Sequence, residues 1–281
     1  MRSVQTFKHT LSIALGVCLL GGCVSAPPSN WILVDDFQSG IVPKNWTILD
    51  TDNQTDPFVA NPQVMDIMSE VGSDKQYLLK KPAPEGVIGN RKAISFHPLP
   101  LSVSVGDTAT LYTRINVEYF PNNHSYGLSN LSAAEIPEAG YDAFEPMIRI
   151  TDKAESDGTK NDGTLMVLSG YKTYDKIGGP SGVGTANPMA PGKWYEVWAV
   201  INNSSKALGG QTYDLYVRGG EFGGQTKVFS DAVFRMKRAK PLTQFITISN
   251  TGSKKSPYGN GGVYYDDIYI APGVDLTSPA D

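Results

Sequence analysis

The 281-residue sequence contains only two cysteines and three histidines. Both cysteines, Cys18 and Cys23, lie at the N-terminal end of the chain. The rest of the chain can therefore form no disulfide, and its stability must come from core packing. Gly-x-Ser-x-Gly and His-Glu-x-x-His sequences are also absent, which argues against common serine hydrolase and zinc protease sites.

Charge of one sign is not concentrated anywhere in the sequence. The formal net charge is −4, from 24 basic and 28 acidic residues that are scattered along the chain. There is no polybasic run of the kind that binds nucleic acid, so we expect no nucleic-acid partner. The densest basic stretch contains Arg235, Lys237, Arg238 and Lys240. Its alternation predicts a solvated face of one strand.

The longest apolar run, residues 11–20, is too short to cross roughly 30 Å of hydrocarbon. Arg2 and Lys8 precede it, and Gly21 and Gly22 follow it. A basic start, a short apolar centre and small residues at the end are typical of a secretory signal peptide. Residues 24–29 after Cys23 are small, Pro-rich and polar, which predicts a flexible tether.

The sequence Leu20-Gly21-Gly22-Cys23 resembles the lipobox of bacterial lipoproteins. The resemblance implies cleavage before Cys23 and a diacylglyceryl group on its thiol; an ordinary signal peptide with a chance cysteine is the alternative. We therefore predict a signal peptide at 1–22, a lipidated tether at 23–30 and one β domain at 31–281. Gram-negative lipoproteins with Asp after the cysteine stay at the inner membrane, so Val24 implies a lipid anchor in the outer membrane of a bacterial cell envelope.

Most of the remaining sequence has the pattern of β-strands. Segments rich in β-branched and aromatic residues alternate with a period of two, and Gly, Pro, Asn or Asp bound them. No segment after the signal keeps a helical period over three turns, and no repeat of fixed length indicates a propeller. These features predict an all-β sandwich of two antiparallel sheets. The predicted strands are residues 31–37, 109–120, 147–151, 164–169, 194–202, 212–218, 228–236, 244–250 and 263–270, and longer irregular stretches are predicted at 50–76, 121–146, 152–163 and 171–192.

Both ends of this region resemble the concanavalin A-like (laminin G-like) jelly rolls. The opening Val34-Asp35-Asp36-Phe37, followed by Trp46, is similar to their first strand, and the segment 263–270 is similar to their closing strand. The segment 194–198 followed by 213–217 resembles a hairpin of the same superfamily. Membership implies a jelly-roll sandwich and a choice among lectins, carbohydrate-binding modules, glycoside hydrolases and polysaccharide lyases.

The first and last strands of such sandwiches usually lie side by side, which would bring Asp35 or Asp36 close to Asp266 or Asp267. Adjacent carboxylates repel one another unless a cation lies between them. Hard oxygen ligands suit Ca²⁺, so a structural calcium site at Asp36, Asp266 and Asp267 is one prediction. The alternative is that these aspartates cap turns without any metal.

Catalytic motifs are weak in this sequence. Retaining glucanases of the superfamily carry Glu-x-Asp-x-x-Glu on one strand, and no such strand is present. The jelly-roll alginate lyases use Arg-x-Glu-x-Arg, Gln-x-His and Tyr-x-Lys-x-Gly-x-Tyr; only the third is loosely matched, by residues 171–174. Lyase chemistry needs a group that neutralises the uronate carboxylate and groups that move protons. The candidate catalytic or ligand-binding residues are Arg149, Tyr171, Lys172, Tyr174, His124 and Tyr126.

A binding function requires less than catalysis does. Sugar rings stack on aromatic side chains, while their hydroxyl groups bond to polar ones. The four tryptophans are predicted to lie in or beside strands, so a stacking surface would consist of tyrosine, of which there are 14. We expect a surface or periplasmic lipoprotein that binds extracellular polysaccharide. The alternatives are a lyase that cleaves a uronate-containing glycan by β-elimination and a structural surface lipoprotein with a protein partner.

Overall fold

The computed structural model describes residues 30–42, 44–153, 161–179, 182 and 187–279. The predicted signal peptide, the lipidation site Cys23 and nearly all of the tether lie outside the described residues. Among the residues within these ranges, no helix is long and apolar enough to cross a membrane.

Eight strands form the first sheet, called sheet I. They are β1 (Ile32–Asp35), β3 (Val64–Ser69), β4 (Gln76–Lys81), β6 (Thr108–Val117), β11 (Trp194–Asn202), β12 (Thr212–Gly219), β13 (Phe222–Val233) and β17 (Val263–Pro272). Their order is β13-β12-β11-β6-β17-β4-β3, and β1 also pairs with β17. The first and last strands of the domain are therefore neighbours, as the sequence predicted.

Seven strands form sheet II, again with antiparallel pairing throughout. They are β2 (Thr47–Asp50), β5 (Ala93–Val103), β7 (Asn123–Ser129), β8 (Phe144–Thr151), β9 (Met166–Gly170), β10 (Thr173–Lys176) and β14 (Leu242–Ser249). Their order is β10-β9-β8-β7-β14-β5-β2. The remaining elements are the short strands β15 (Gly252–Ser253) and β16 (Ser256–Pro257), helix α1 (Glu135–Ala139) and 3-10 turns at Gly140–Ala143 and Lys206–Leu208.

The main core lies between the two sheets. Successive side chains of a strand point to opposite faces, so each strand gives every second residue to this core. In β11 these are Tyr195, Val197, Ala199 and Ile201, which pack in the same apolar cluster as sheet II residues such as Phe245. The prediction of an all-β sandwich of two antiparallel sheets is confirmed.

A second apolar cluster covers part of the outer face of sheet II, the face that points away from sheet I. It joins Ile94, Phe96, Ile246 and Ile248 of the central strands to residues of the segment 131–144, including α1. This segment, called the covering segment, therefore closes the outer face over β5 and β14. The same cluster also contains Met147 of β8 and Leu168 of β9, so it extends toward the other edge of sheet II.

The strand predictions agree best where apolar alternation is strong. Residues 194–202 coincide with β11, and 212–218 agree with β12 to within one residue. The predicted irregular stretch 121–146 is wrong in part, because it contains β7 and α1. Strand β7 was missed because its sequence, NHSYGLS, is polar on one face and mixed on the other, although every residue in it is buried.

Candidate functional site

A cavity of about 270 Å³ lies on the outer face of sheet II, beside the covering segment. Ten described residues line it, of which five are cationic, three are tyrosines and two are asparagines. None of these ten side chains is a carboxylate. They are Arg91, Asn123, Tyr141, Arg149, Lys153, Lys172, Tyr174, Arg235, Asn250 and Tyr258.

Strand alternation explains why the polar floor of the cavity faces outward. Ile148 and Ile150 point into the core between the sheets, so Arg149 between them must point to the outer face. Strands β8 and β9 are neighbours with Arg149 opposite Met166. Arg149 and the start of the 164–174 segment therefore lie on neighbouring strands.

Arg149, Asn123 and Tyr174 form the floor of the cavity. Arg149 is only 3% exposed, and its Nη2 donates a hydrogen bond to Asn123 Oδ1 at 3.1 Å. Its guanidinium carbon lies 4.2 Å from the centroid of the Tyr174 ring, which is the geometry of a cation–π contact. The floor therefore presents a planar cation whose orientation is fixed by an amide and an aromatic ring.

Arg235 extends the same polar surface from the chain that follows β13. Its Nε donates to Asp142 Oδ1 at 2.9 Å, and its Nη1 donates to the Tyr174 hydroxyl at 3.2 Å. Arg235 is 5% exposed, so the prediction of a solvated strand face is wrong for this residue. The reason is that the chain after β13 crosses the outer side of sheet II, where Glu145 accepts hydrogen bonds from the backbone of residues 236–238.

Tyr141, in the 3-10 turn of the covering segment, forms one wall of the cavity. Burial raises the pKa of Tyr141 to about 12, while the charge of Arg149 and the side chain of Asn250 oppose the rise. The phenol is therefore protonated at neutral pH, and its buried hydroxyl is a hydrogen-bond donor close to Arg149.

The rim of the cavity carries cations close to aromatic rings. Lys153 Nζ lies 5.4 Å from the centroid of the Tyr258 ring. Lys172 Nζ lies 4.8 Å from the centroid of the Tyr171 ring. Tyr171 is 54% exposed and stands in the turn between β9 and β10, outside the set of lining residues. Of the predicted candidates, the cavity thus brings together Arg149, Lys172 and Tyr174, with Tyr171 beside them.

His124 and Tyr126 do not lie in the cavity, so the prediction that groups them with Arg149 is wrong. They belong to β7, where they alternate with Asn123, and their side chains point into the core between the sheets. Each ring lies 5.6 Å from the ring of Tyr265, centroid to centroid. Burial, and to a lesser extent the charge of Lys80, lowers the pKa of His124 well below its usual value. His124 is therefore a neutral core residue.

Two of the three predicted calcium ligands, Asp266 and Asp267, contact cationic side chains. Asp266 Oδ2 lies 2.8 Å from Arg114 Nη1, and Asp267 Oδ2 lies 3.0 Å from Lys75 Nζ. Asp36 accepts the backbone N–H of Gln38 through Oδ1. Within the described part of the chain, no group of three His, Cys, Asp or Glu side chains could hold a metal ion. Asp266 and Asp267 do not fit a calcium site, because cations already lie against their carboxylates.

Seven of the ten lining residues were not predicted from the sequence. Two carried a visible signal, since Asn123 lies in the Tyr- and Asn-containing segment 122–126, and Arg235 belongs to the densest basic stretch. The others come from turns and loops that only the tertiary fold brings together. The missed residues are Arg91, Asn123, Tyr141, Lys153, Arg235, Asn250 and Tyr258.

No family model matches the chain, and no curated protein matches its sequence. Among solved structures, a marine PL-14 alginate lyase from Aplysia kurodai is similar, with a TM-score of 0.48 and 13% identity over 74% of this chain and 87% of that one. A GH131 beta-glucanase catalytic domain from Podospora anserina has a TM-score of 0.46 and 11% identity, and the match covers 90% of this chain and 89% of that one. The metal-free form of lectin I-B4 from Griffonia simplicifolia has a TM-score of 0.48 and 7% identity, and the match covers 88% of this chain and 100% of that one. At these values the likeness transfers no activity to this chain.

Proposed function

We propose that the protein binds an extracellular polysaccharide in the cavity on the outer face of sheet II. The observation that carries this proposal is the convergence of three tyrosines, two asparagines and five cations in one cavity of a rigid sandwich. Aromatic faces and a few fixed polar groups are what a sugar-binding site needs, because a pyranose ring has apolar C–H faces and polar edges.

The size of the cavity favours a single sugar residue inside it. Its volume of about 270 Å³ is just below the roughly 300–1,000 Å³ of pockets that enclose drug-sized ligands. The covering segment occupies the outer face over the central strands, so a long chain cannot lie across the whole sheet. We therefore propose that one residue of the glycan enters the cavity and that the adjoining residues contact its rim.

Binding is tested by the migration of the protein in gels that contain alginate, ulvan or a neutral glucan. The informative variant is Tyr258→Ala, with Tyr216→Ala as its control. Each tyrosine is half-buried with a lysine near its ring, but Tyr216 belongs to β12 of sheet I. Loss of one stacking ring is worth about 0.5–1.5 kcal/mol, or roughly twofold to tenfold in affinity.

We expect Tyr258→Ala to weaken glycan retardation and Tyr216→Ala to leave it unchanged. If no glycan retards the protein, the proposed function is refuted, and a structural lipoprotein with a protein partner becomes the better hypothesis. Equal effects of the two variants on glycan retardation would show that the glycan does not bind in the cavity.

A second candidate function is β-elimination by a polysaccharide lyase. It is favoured by the presence of Arg149 and Asn123 beside two tyrosine hydroxyls, Tyr141 and Tyr174, in the same cavity. In this reaction a base removes the C5 proton of a uronate, a C4=C5 double bond forms, and the C4–O bond breaks as the leaving oxygen takes a proton. Arg149 and Asn123 would neutralise the carboxylate, and the phenols would move the protons.

The lyase candidate predicts an ultraviolet absorbance that rises with time, because the product contains a conjugated double bond. Tyr141→Phe removes one proton-transfer group and should abolish the rise while glycan retardation persists. Retardation of the wild-type protein without any rise in absorbance contradicts the lyase candidate and leaves binding alone.

We also propose that Cys23 is lipidated and anchors the domain to the bacterial outer membrane. The support is the sequence Leu20-Gly21-Gly22-Cys23 after a short apolar run. A Cys23→Ser variant should move from the detergent phase to the aqueous phase in phase partitioning of the mature protein. Unchanged partitioning would contradict the anchor.

A further inference from the structure

We infer that the glycan bound in the cavity is acidic, and that the cavity recognises an anionic group of the sugar, a carboxylate or a sulfate ester, beside Arg149. This inference rests on the proposed function and adds the chemical class of the ligand.

The local charge of the cavity is opposite to the charge of the whole protein. The chain has a formal net charge of −4, yet five of the ten described lining residues are cationic and none is a carboxylate. Two nearby acids offset part of this charge: Asp142 lies 2.8 Å from Arg235, and Asp52 lies 3.9 Å from Arg91. A neutral sugar would gain little from such a cluster, whereas an anion would relieve the mutual repulsion of the cations.

The floor of the cavity has the geometry for one anion. The Arg149 guanidinium is planar and is held against the Tyr174 ring at 4.2 Å, with Asn123 fixing its edge. A guanidinium can bind two oxygens of a carboxylate or sulfate at once, and ordering it in advance lowers the entropy lost on binding. The protonated hydroxyl of Tyr141 supplies a further donor on the adjacent wall.

The rim cations extend this selectivity along the polymer. Arg91, Lys153 and Lys172 line the opening, where the charges of neighbouring sugar residues would lie. Arg91 has 45% of its side chain exposed. Interactions between exposed charges weaken as salt shortens the Debye length from about 10 Å at 0.1 M to about 3 Å at 1 M. Binding of the polymer should therefore weaken strongly with salt.

The test compares four polymers by gel retardation and by calorimetry at several salt concentrations. They are alginate, the same alginate with its carboxyl groups reduced to alcohols, a sulfated galactan and a neutral β-glucan. We expect alginate or the sulfated galactan to bind at least tenfold more tightly than the reduced alginate and the glucan, and we expect that preference to decline with salt. The two acidic polymers distinguish a carboxylate from a sulfate ester.

Variants test whether the residues of the cavity recognise the negative charge of the polymer. Arg149→Met should weaken binding of the acidic polymer at least tenfold, and Arg149→Lys should have an intermediate effect. Lys153→Gln changes only a rim charge, so it should fold normally, weaken binding severalfold and reduce the salt dependence. Arg218→Met is the control, because Arg218 also lies near an aromatic ring, that of Trp198 at 5.7 Å, but on sheet I.

Equal affinity for alginate and reduced alginate, without salt dependence, would overturn this inference and leave the proposed function standing. Unchanged binding of the acidic polymer by both Arg149→Met and Lys153→Gln would also overturn it. Failure to bind any of the four polymers would instead refute the proposed function.

Discussion

The buried lysine of β4 provides a quantitative test of the structure. The Lys80 side chain is fully buried between the sheets, where its Nζ donates to Gln63 Oε1 and, at 3.3 Å, to the Ala93 carbonyl oxygen. Burial lowers its pKa from 10.5 to about 7, against the opposing charge of Asp50. The substitution Lys80→Met keeps much of the side-chain volume and removes the ionisable group.

The sign of the effect follows from proton binding in the two states. Below pH 7, Lys80 is protonated both in the folded and in the unfolded chain. It therefore adds no pH dependence to the free energy of unfolding in that range. Between pH 7 and 10.5 the unfolded chain holds this proton and the folded chain does not, so the free energy of unfolding rises with pH. The shift from 10.5 to about 7 corresponds to a rise of up to roughly 5 kcal/mol.

The assay is urea unfolding of the wild-type protein and of Lys80→Met at several pH values between 6 and 10. The difference in unfolding free energy between the two proteins should change by several kcal/mol in favour of the wild type as pH rises. Lys81→Met is the matched control. Burial alone would lower the pKa of Lys81, but hydrogen bonds to Glu85 and Glu118 outweigh it and raise the pKa.

Because a lysine with a raised pKa loses its stabilising effect only above its usual value, the Lys81→Met difference in unfolding free energy should not increase with pH over this range. If the Lys80→Met difference is flat between pH 6 and 10, the side chain is not buried as an amine between the sheets, and the reasoning fails.

Three further predictions concern packing, pH and metal. Gly127→Ala should destabilise the fold by about 1–3 kcal/mol in urea unfolding, because a Cβ there would meet the Pro146 carbonyl oxygen; an unchanged midpoint would contradict the close approach of β7 and β8. Burial and the charge of Asp267 raise the pKa of Asp266 to about 7. Asp267→Asn should therefore lower the pKa of Asp266, measured by an NMR titration of its carboxyl carbon, and an unchanged pKa would refute this cause. A chelator should leave the melting temperature unchanged, since Lys75 already lies against these carboxylates; a clear fall would restore the calcium hypothesis.

The sequence was informative wherever a strand has one apolar and one polar face. The segment 194–202 alternates in this way, and it is β11 in the structure. The polar strand β7 has no such signal, because its burial comes from tertiary contacts on both faces of sheet II. That error placed His124 and Tyr126 in a loop, although the alternation of β7 turns them into the core.

The candidate site was predictable only in part for a related reason. Arg149 and Tyr174 lie on strands that are close in sequence, so their proximity could be inferred from local patterns. Arg235 and Tyr258 reach the cavity from chain that follows β13 and β16, at large separations in sequence. Such contacts depend on the order of strands in the sheet, which the amino-acid pattern of single strands does not specify.

The most direct test of the binding site is a crystal structure of the protein with a uronate oligosaccharide. We expect one sugar residue in the cavity on the outer face of sheet II, with its carboxylate within hydrogen-bond distance of Arg149 and a ring face against a tyrosine. An oligosaccharide bound on sheet I, with the cavity lined by Arg149 empty, would refute this binding site.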